Sequence, residues 1–134
     1  MRERTNGQLV YVVDDEPIIA STLAAIIKTQ GFEATFFNHP LDALKAAEMV
    51  APDLLLSDVI MPGMTGVELA IHIRQMHPEC KVVLLSGQGA TGDLIDKALN
   101  DGHQFDVLTK PLHPSRVLDA MRRLLGPAPG TSAD

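Results

Sequence analysis

The sequence predicts an α/β fold, in which a parallel sheet of five strands is covered by helices on both faces. Short apolar runs rich in β-branched residues alternate with segments whose apolar residues recur about every 3.6 positions, the period of an amphipathic helix. This alternation repeats five times with short links between the segments. A regular β-then-α order is typical of right-handed crossovers, which join strands that run parallel.

Five runs have the composition of strands, namely residues 9–13, 33–37, 53–56, 81–85 and 105–108. The first, third and fourth runs are almost entirely apolar, which is typical of parallel strands buried on both faces. We therefore expect these three strands to lie in the middle of the sheet, with helices packed above and below them.

Glycine and proline residues mark the ends of the intervening helices. Pro17 fits the first turn of the first helix, since the amide hydrogen that proline lacks has no partner there. Gly31 fits a stop after the first helix, Pro78 ends the third helix and Gly102 ends the fourth. The sequence therefore predicts five βα units.

Size and composition limit the class of protein. A chain of 134 residues is the length of one domain, and its 46% hydrophobic and 21% charged residues are typical of a globular protein. The net charge of −6 argues against direct nucleic-acid binding, which depends on clustered lysine and arginine residues. Cys80 is the only cysteine, which excludes an internal disulfide and predicts a buried free thiol.

No apolar run approaches the roughly 20 residues that a membrane helix requires, so we expect no membrane interaction. The charged start of the chain lacks the apolar core of a secretory signal, and we therefore expect a cytoplasmic protein. Residues 1–7 are interpreted as an N-terminal extension and residues 8–125 as the folded domain. Residues 126–134, rich in glycine and proline, are interpreted as a flexible tail.

Polar residues stand where four of the predicted strands end. Asp14 and Asp15 follow the first strand, Asp58 the third, Ser86 the fourth and Lys110 the fifth. In an open parallel sheet, ligands bind at the carboxyl ends of the strands, where these side chains should converge. Each residue alone has an ordinary explanation, such as a helix cap, a turn hydroxyl or a solvated lysine. Their joint occurrence in this order instead indicates one functional site.

Carboxylates crowded at this edge need compensating positive charge. Two carboxylates about 4 Å apart repel each other by about 4 kcal/mol at an effective dielectric constant of about 20. A hard divalent cation would relieve this repulsion, and Mg²⁺ prefers oxygen ligands and often joins carboxylates to a phosphate. The sequence therefore predicts a magnesium site, with Mn²⁺ as the alternative metal.

Four short motifs occur in the order found in one protein family. They are the segments 13–17 (VDDEP), 58–66 (DVIMPGMTG), 85–87 (LSG) and 109–111 (TKP). Together they make residues 8–125 resemble the receiver domains of response regulators in two-component signal transduction. The resemblance implies a doubly wound, flavodoxin-like sheet of order 2-1-3-4-5 with five helices, and a cis bond before the proline of the last motif.

The resemblance also assigns the acceptor and the metal ligands. It implies that Asp58 is the phosphoacceptor in a Mg²⁺-dependent reaction. It further implies that Asp14 and Asp15 bind the metal, together with the Asp58 carboxylate and the backbone carbonyl of Ile60. A chain of this kind is a signalling domain rather than an enzyme, since it catalyses only its own phosphorylation and dephosphorylation.

The remaining implied roles concern the switch and the partners. Ser86 is the switch hydroxyl, Lys110 pairs with the phosphoryl oxygens, and the loop 87–89 rearranges when Asp58 is phosphorylated. The phosphoryl group would come from a sensor histidine kinase or a histidine phosphotransfer protein. The signal would then pass through protein contacts to an unknown downstream protein target.

Two positions depart from the family pattern. Val107 stands three residues before Lys110, where the family usually has an aromatic switch residue, and Ile60 is apolar where many relatives are polar. Phe105 could take the place of the missing ring or could serve only as packing. These departures leave a phosphorylation-independent interaction module as an alternative function. A flavodoxin-like or phosphohydrolase enzyme is a third possibility, although the first loop carries acids where phosphate binding would need glycines.

Overall fold

The computed structural model describes residues 8–87 and 91–126, in which strands and helices alternate. The elements are β1 (Leu9–Val13), α1 (Pro17–Thr29), β2 (Glu33–Phe37), α2 (Pro40–Met49), β3 (Leu54–Asp58), α3 (Gly66–Met76), β4 (Lys81–Ser86), α4 (Thr91–Asn100), β5 (Asp106–Thr109) and α5 (Pro114–Leu125). The predicted extension 1–7 and residues 127–134 of the predicted tail lie outside the described residues. Among the described helices, none combines the length and the apolar character that a bilayer span requires.

The described strands form one parallel sheet in the order β2-β1-β3-β4-β5, which confirms the predicted order. β1 and β3 are buried at every residue, and β4 is buried at every residue except Lys81. The prediction of three central apolar strands is therefore confirmed. The order of the strands reverses between β1 and β3, so their carboxyl ends flank the crevice where ligands bind in sheets of this type.

Three strands differ from their predicted boundaries, and the smallest change is in β4, which extends one residue further, to Ser86. β3 continues through Ser57 and Asp58, because both residues stay in register with β4, opposite Leu84 and Leu85. β5 begins at Asp106 instead of residue 105, because its pairing with β4 starts there. Asp58 is thus the last residue of a strand and is held by the sheet, rather than being the first residue of a loop.

The core consists of two apolar layers, one on each face of the sheet. One layer joins the sheet to α2, α3 and α4, and the other joins it to α1 and α5. Strand β1 shows the division, since Tyr11 and Val13 belong to the first layer while Val10 and Val12 belong to the second. Helices therefore cover both faces, as the sequence predicts.

The helices begin and end at proline and glycine residues where the sequence indicates. Pro17 begins α1, and the chain leaves that helix at Gly31, whose φ of 96° lies in the left-handed region that favours glycine. Gly102 follows α4 in the same conformation, with a φ of 97°. α3 ends at Met76, just before Pro78. The short links that result keep each helix against the sheet.

Cys80 is free and buried just before β4, as predicted. Its thiol donates to the carbonyl oxygen of Lys81, with the sulfur 3.4 Å from that oxygen. Burial raises the pKa of the Cys80 thiol to about 12, although the nearby Arg74 guanidinium opposes this rise. The thiol therefore stays protonated at neutral pH, and a protonated thiol is a poor nucleophile.

Helix α3 begins against the end of β3. Thr65 caps the helix, because its hydroxyl accepts from the Glu68 N–H while the Glu68 carboxylate accepts from the Thr65 N–H. The next residue, Gly66, donates from its backbone N–H to the carbonyl oxygen of Val59 at 2.8 Å. A Cβ atom on Gly66 would lie 2.1 Å from the carbonyl oxygen of Asp58, so this contact requires glycine.

We expect the substitution Gly66→Ala to destabilise the domain by about 1–3 kcal/mol, because the added methyl group forces α3 away from β3. Gly92→Ala in the first turn of α4 is a matched control, since a Cβ atom there meets nothing within 4 Å. This control should be neutral or should stabilise the domain by up to about 1 kcal/mol. Urea unfolding followed by circular dichroism measures both changes, and equal unfolding free energies for the two variants would contradict the contact.

Candidate functional site

The structure brings the predicted site residues together at the carboxyl edge of the sheet. Asp14 directly follows β1, Asp58 ends β3, Ser86 ends β4 and Lys110 directly follows β5. Asp14 is fully buried, and Asp58 and Ser86 are each only 8% exposed. Charged side chains are almost never buried unless they are paired, so this edge is the candidate functional site.

Asp14, Asp15 and Asp58 form an acidic cluster, in which one carboxylate oxygen from each residue lies within 4.8 Å of the others. Asp14 Oδ1 accepts a hydrogen bond from the backbone N–H of Glu16 at 2.9 Å. Asp14 Oδ2 is buried and receives no hydrogen bond from the described residues. Burial raises the pKa of Asp14 and the Asp58 carboxylate raises it further, whereas the Glu16 N–H lowers it.

Lys110 places an ammonium group against two of these carboxylates. Its Nζ atom lies 3.2 Å from Asp58 Oδ2 and 3.8 Å from Asp14 Oδ2. The peptide bond between Lys110 and Pro111 is cis, as the resemblance implies. The backbone N–H of Lys110 also donates to the Ser86 carbonyl oxygen at 2.8 Å, which fixes the start of the Lys110 side chain beside β4.

The acidic cluster fits a divalent metal ion. With its three carboxylates ionised, it stays negative even after the Lys110 charge is counted. Asp14 Oδ2 is a hard oxygen donor without a hydrogen bond in the described structure, and three oxygens within 4.8 Å of one another can reach a single ion. The backbone carbonyl of Ile60, two residues beyond Asp58, stays a predicted fourth ligand.

Ser86 lies at the end of β4, the neighbour of β3 in the sheet. Its hydroxyl, the predicted switch hydroxyl, donates to the carbonyl oxygen of Gly87 at 3.1 Å. In this structure the hydroxyl is therefore hydrogen-bonded to the first residue of the predicted switch loop. Gln88 and Gly89 of the predicted switch loop lie outside the described residues. A rearrangement that turns the Ser86 hydroxyl towards Asp58 therefore stays a prediction.

Phe105 lies just before β5, at the amino edge of the sheet and far from the acceptor. The Arg74 guanidinium lies 5.3 Å from the centre of its ring, and the parallel ring of His103 lies 6.0 Å away. The Phe105 ring also packs against the core layer formed with α2, α3 and α4. Val107 stands within β5 with its side chain 38% exposed. Of the two alternatives for Phe105, the structure therefore favours packing.

Two contributions to the site were not predicted. Ser57 is fully buried, and its hydroxyl donates to the Asp58 carbonyl oxygen at 2.9 Å. Gly66 lets the first turn of α3 approach the same carbonyl. The Thr65–Glu68 capping box is readable in the sequence and marks where α3 starts. It gives no sign of the approach to Asp58, because that contact depends on how α3 packs on the sheet.

Comparison with known proteins agrees with this geometry. The chain matches the family of the response regulator receiver domain over residues 10–122. It is 32% identical over 115 residues to the chemotaxis protein CheY of Listeria monocytogenes, with 85% of this chain and 95% of CheY covered. It is also 32% identical over 133 residues to the probable transcriptional regulatory protein TcrX of Mycobacterium tuberculosis, with 98% of this chain and 56% of TcrX covered.

A solved structure gives the same result. The chain superimposes on the crystal structure of a two component transcriptional regulator AraC from Clostridium phytofermentans with a TM-score of 0.80 and 28% identity, covering 89% of this chain and 93% of that one. The chain spans just over half the length of TcrX and nearly all of CheY. The order of the sheet, the acidic cluster and the family match all lead to the same conclusion. The chain belongs to the family of response regulator receiver domains of two-component signalling.

Proposed function

We propose that Asp58 accepts a phosphoryl group from a phosphohistidine on a sensor histidine kinase or a histidine phosphotransfer protein. The observation that carries this proposal is the Lys110 ammonium group, 3.2 Å from the Asp58 carboxylate within the acidic cluster. A cation in that position stabilises the negative charge of an arriving phosphoryl group. Receiver domains of the family interact with kinases or phosphotransfer proteins of this kind.

Asp14, Asp15 and Asp58 would hold the divalent metal, Mg²⁺ or Mn²⁺, together with the backbone carbonyl of Ile60. When bound, the metal supplies positive charge against the carboxylates and the phosphoryl oxygens. Asp14 is suited to bind the metal, because the Glu16 N–H donates to its Oδ1 atom while Oδ2 receives no hydrogen bond from the described residues. One oxygen thus orients the carboxylate and the other remains available as a ligand.

In the transfer step, a carboxylate oxygen of Asp58 attacks the phosphorus atom, a P–O bond forms and the P–N bond to the donor histidine breaks. The electron pair of the P–N bond stays on the ring nitrogen, so a donor protonated on its other ring nitrogen leaves as neutral imidazole. Lys110 then pairs with the phosphoryl oxygens. The Ser86 hydroxyl, which donates to Gly87 at rest, donates to one of these oxygens instead.

The signal would leave the domain through protein contacts. Phosphorylation adds a charge of about −1.5 to −2 at Asp58, which attracts the Ser86 hydroxyl and moves the loop that follows it. Because Val107 carries no ring, the readout depends on this loop and the start of α4 rather than on an aromatic rotamer. We expect a downstream protein target, no direct nucleic-acid contact, no separate substrate that is turned over, and a cytoplasmic location.

An apolar groove beside Lys110 suits the phosphodonor protein. The groove, of about 430 Å³, lies between α1 and the segment after β5, and Lys110 lines it together with Ile18, Ile26, Pro111 and Leu112. A protein that delivers a phosphohistidine to Asp58 must dock next to the acceptor, and Lys110 borders both the groove and the acidic cluster. We therefore assign this groove to the donor, with the highly exposed Ile18 as its main apolar contact.

The exposed apolar side chains of Val107 and Ile60 favour a second candidate function, in which the domain binds a partner without being phosphorylated. The acidic cluster would then have no acceptor role. Beryllofluoride with Mg²⁺ separates the two functions, because it imitates a phosphoryl group on an acceptor aspartate. Unchanged amide resonances in the wild type at a saturating dose would support the second function, whereas shifts around Asp58 and Ser86 support the first.

The substitution Asp58→Asn should abolish phosphate incorporation from labelled acetyl phosphate in the presence of Mg²⁺, because the amide is not a nucleophile towards phosphorus. Asp42→Asn, in the first turn of α2, should be labelled like the wild type. Phosphate content after gel filtration measures the incorporation. Label that persists in Asp58→Asn would place the acceptor at another residue.

Asp14→Asn should raise the free energy of unfolding of the metal-free domain, because it removes a charge that is destabilised by burial and by Asp58. It should also weaken Mg²⁺ binding by at least about tenfold through the loss of a ligand. Thermal unfolding with and without Mg²⁺ measures both effects, since a metal stabilises the state that binds it. A variant that keeps the full Mg²⁺ effect would contradict the metal assignment. A variant that is less stable without metal would contradict the unfavourable burial of the Asp14 charge.

Ile18→Asp should slow phosphotransfer from a phosphorylated histidine phosphotransfer protein by about tenfold or more, because it places a charge in an apolar contact. Labelling by acetyl phosphate should be unchanged, since a small donor needs no docking surface. Met49→Asp on α2 is a matched control, because Met49 is 77% exposed and Ile18 is 79% exposed. Equal phosphotransfer rates for the two variants would show that the donor protein does not dock in this groove.

A further inference from the structure

A second pocket lies at the amino edge of the sheet, opposite the edge that carries Asp58. It is a cleft of about 540 Å³ between the end of α3, the turn that leads into β4 and the loop that leads into β5. The residues of the acidic cluster do not line it. The cleft is therefore separate from the acceptor site, and phosphoryl transfer makes no use of it.

Arg74 of α3 lines this cleft with a partly buried guanidinium group. Its Nε atom donates to the carbonyl oxygen of Cys80 at 3.0 Å, and a terminal nitrogen donates to the carbonyl oxygen of Gln104. Both acceptors are neutral, and no carboxylate in the described part of the chain lies within 4.0 Å of the group. Burial lowers the pKa of Arg74, as expected for a cation withdrawn from water without a counter-ion.

Lys81 adds a second cation to the cleft, beside Arg74. Lys81 is exposed at the start of β4 and, among the described residues, forms no ion pair. His103 also lines the cleft. Glu79 is the one acidic residue of the lining. In a chain with a net charge of −6, a cleft with this local excess of cationic groups is suited to an anion.

We propose that this cleft binds a small oxyanion, the phosphate or carboxylate group of a small molecule, between the Arg74 guanidinium and the Lys81 ammonium group. The planar fork of an arginine carries more N–H donors than the two that Cys80 and Gln104 occupy, and the free donors match the paired oxygens of such a group. A bound oxyanion would join α3 and the start of β4 to the loop before β5. It would thereby brace the strand that leads to Lys110.

Amide resonances of the full chain test this proposal. Inorganic phosphate and succinate are titrated separately at constant ionic strength, and shifts are followed at residues 80–81 and 102–104 and at the Asp58 edge. We expect saturable shifts at the cleft residues with at least one of the two ions. The ion that binds more tightly identifies the phosphate or the carboxylate as the preferred group. Saturable shifts confined to the Asp58 edge, or no saturable shift with either ion, would overturn the proposal.

Two lysine variants locate the binding. Lys81→Gln should weaken the apparent affinity by about tenfold, because it removes a charge-assisted hydrogen bond. Lys28→Gln changes the net charge equally at an exposed position in the last turn of α1 and should leave the affinity unchanged. Lys81 is exposed, so its substitution should not disturb the fold. An affinity that Lys81→Gln does not alter, or that both variants weaken equally, would show that the shifts report net charge and would overturn the site.

Discussion

Like charges crowded at one edge of the sheet are the constraint on which the rest of the structure depends. Three carboxylates lie within 4.8 Å of one another, and in the described structure one ammonium group, that of Lys110, opposes them. The sheet holds these groups in place, since Asp58 is still paired with β4 and the Lys110 backbone is tied to Ser86. The well-packed sheet thus holds three carboxylates in an arrangement that is unfavourable because they repel one another. A bound cation would reduce this repulsion.

The two proposed binding surfaces lie at opposite ends of the same short strand. β5 begins at the loop that borders the oxyanion cleft and ends just before Lys110, which borders the groove assigned to the donor. Four residues of strand cover about 13 Å. β5 is also an edge strand that pairs with β4 alone, so the described sheet restrains it on one side. A ligand that fixes its beginning would therefore act on the strand that positions the lysine.

Most of the fold could be predicted from the sequence, because the three central strands are compact apolar runs. Most of the site could be predicted as well, because four strands end in polar residues. The remaining features depend on contacts between residues that are distant in the chain. β3 extends to Asp58 because β4 continues beside it. Phe105 precedes its strand and packs against Arg74 of another element. The need for glycine at position 66 follows from the distance to the Asp58 carbonyl, which no local pattern encodes.

The buried thiol of Cys80 has a practical consequence. Because burial raises its pKa to about 12, almost none of this thiol is present as thiolate at neutral pH in the folded protein. It should therefore react only slowly with alkylating reagents. A cysteine introduced on the surface would then be the single reactive thiol, without removal of the native one. A fluorophore attached beside the donor groove or beside the oxyanion cleft would therefore report on one surface at a time, in a chain whose core is unaltered.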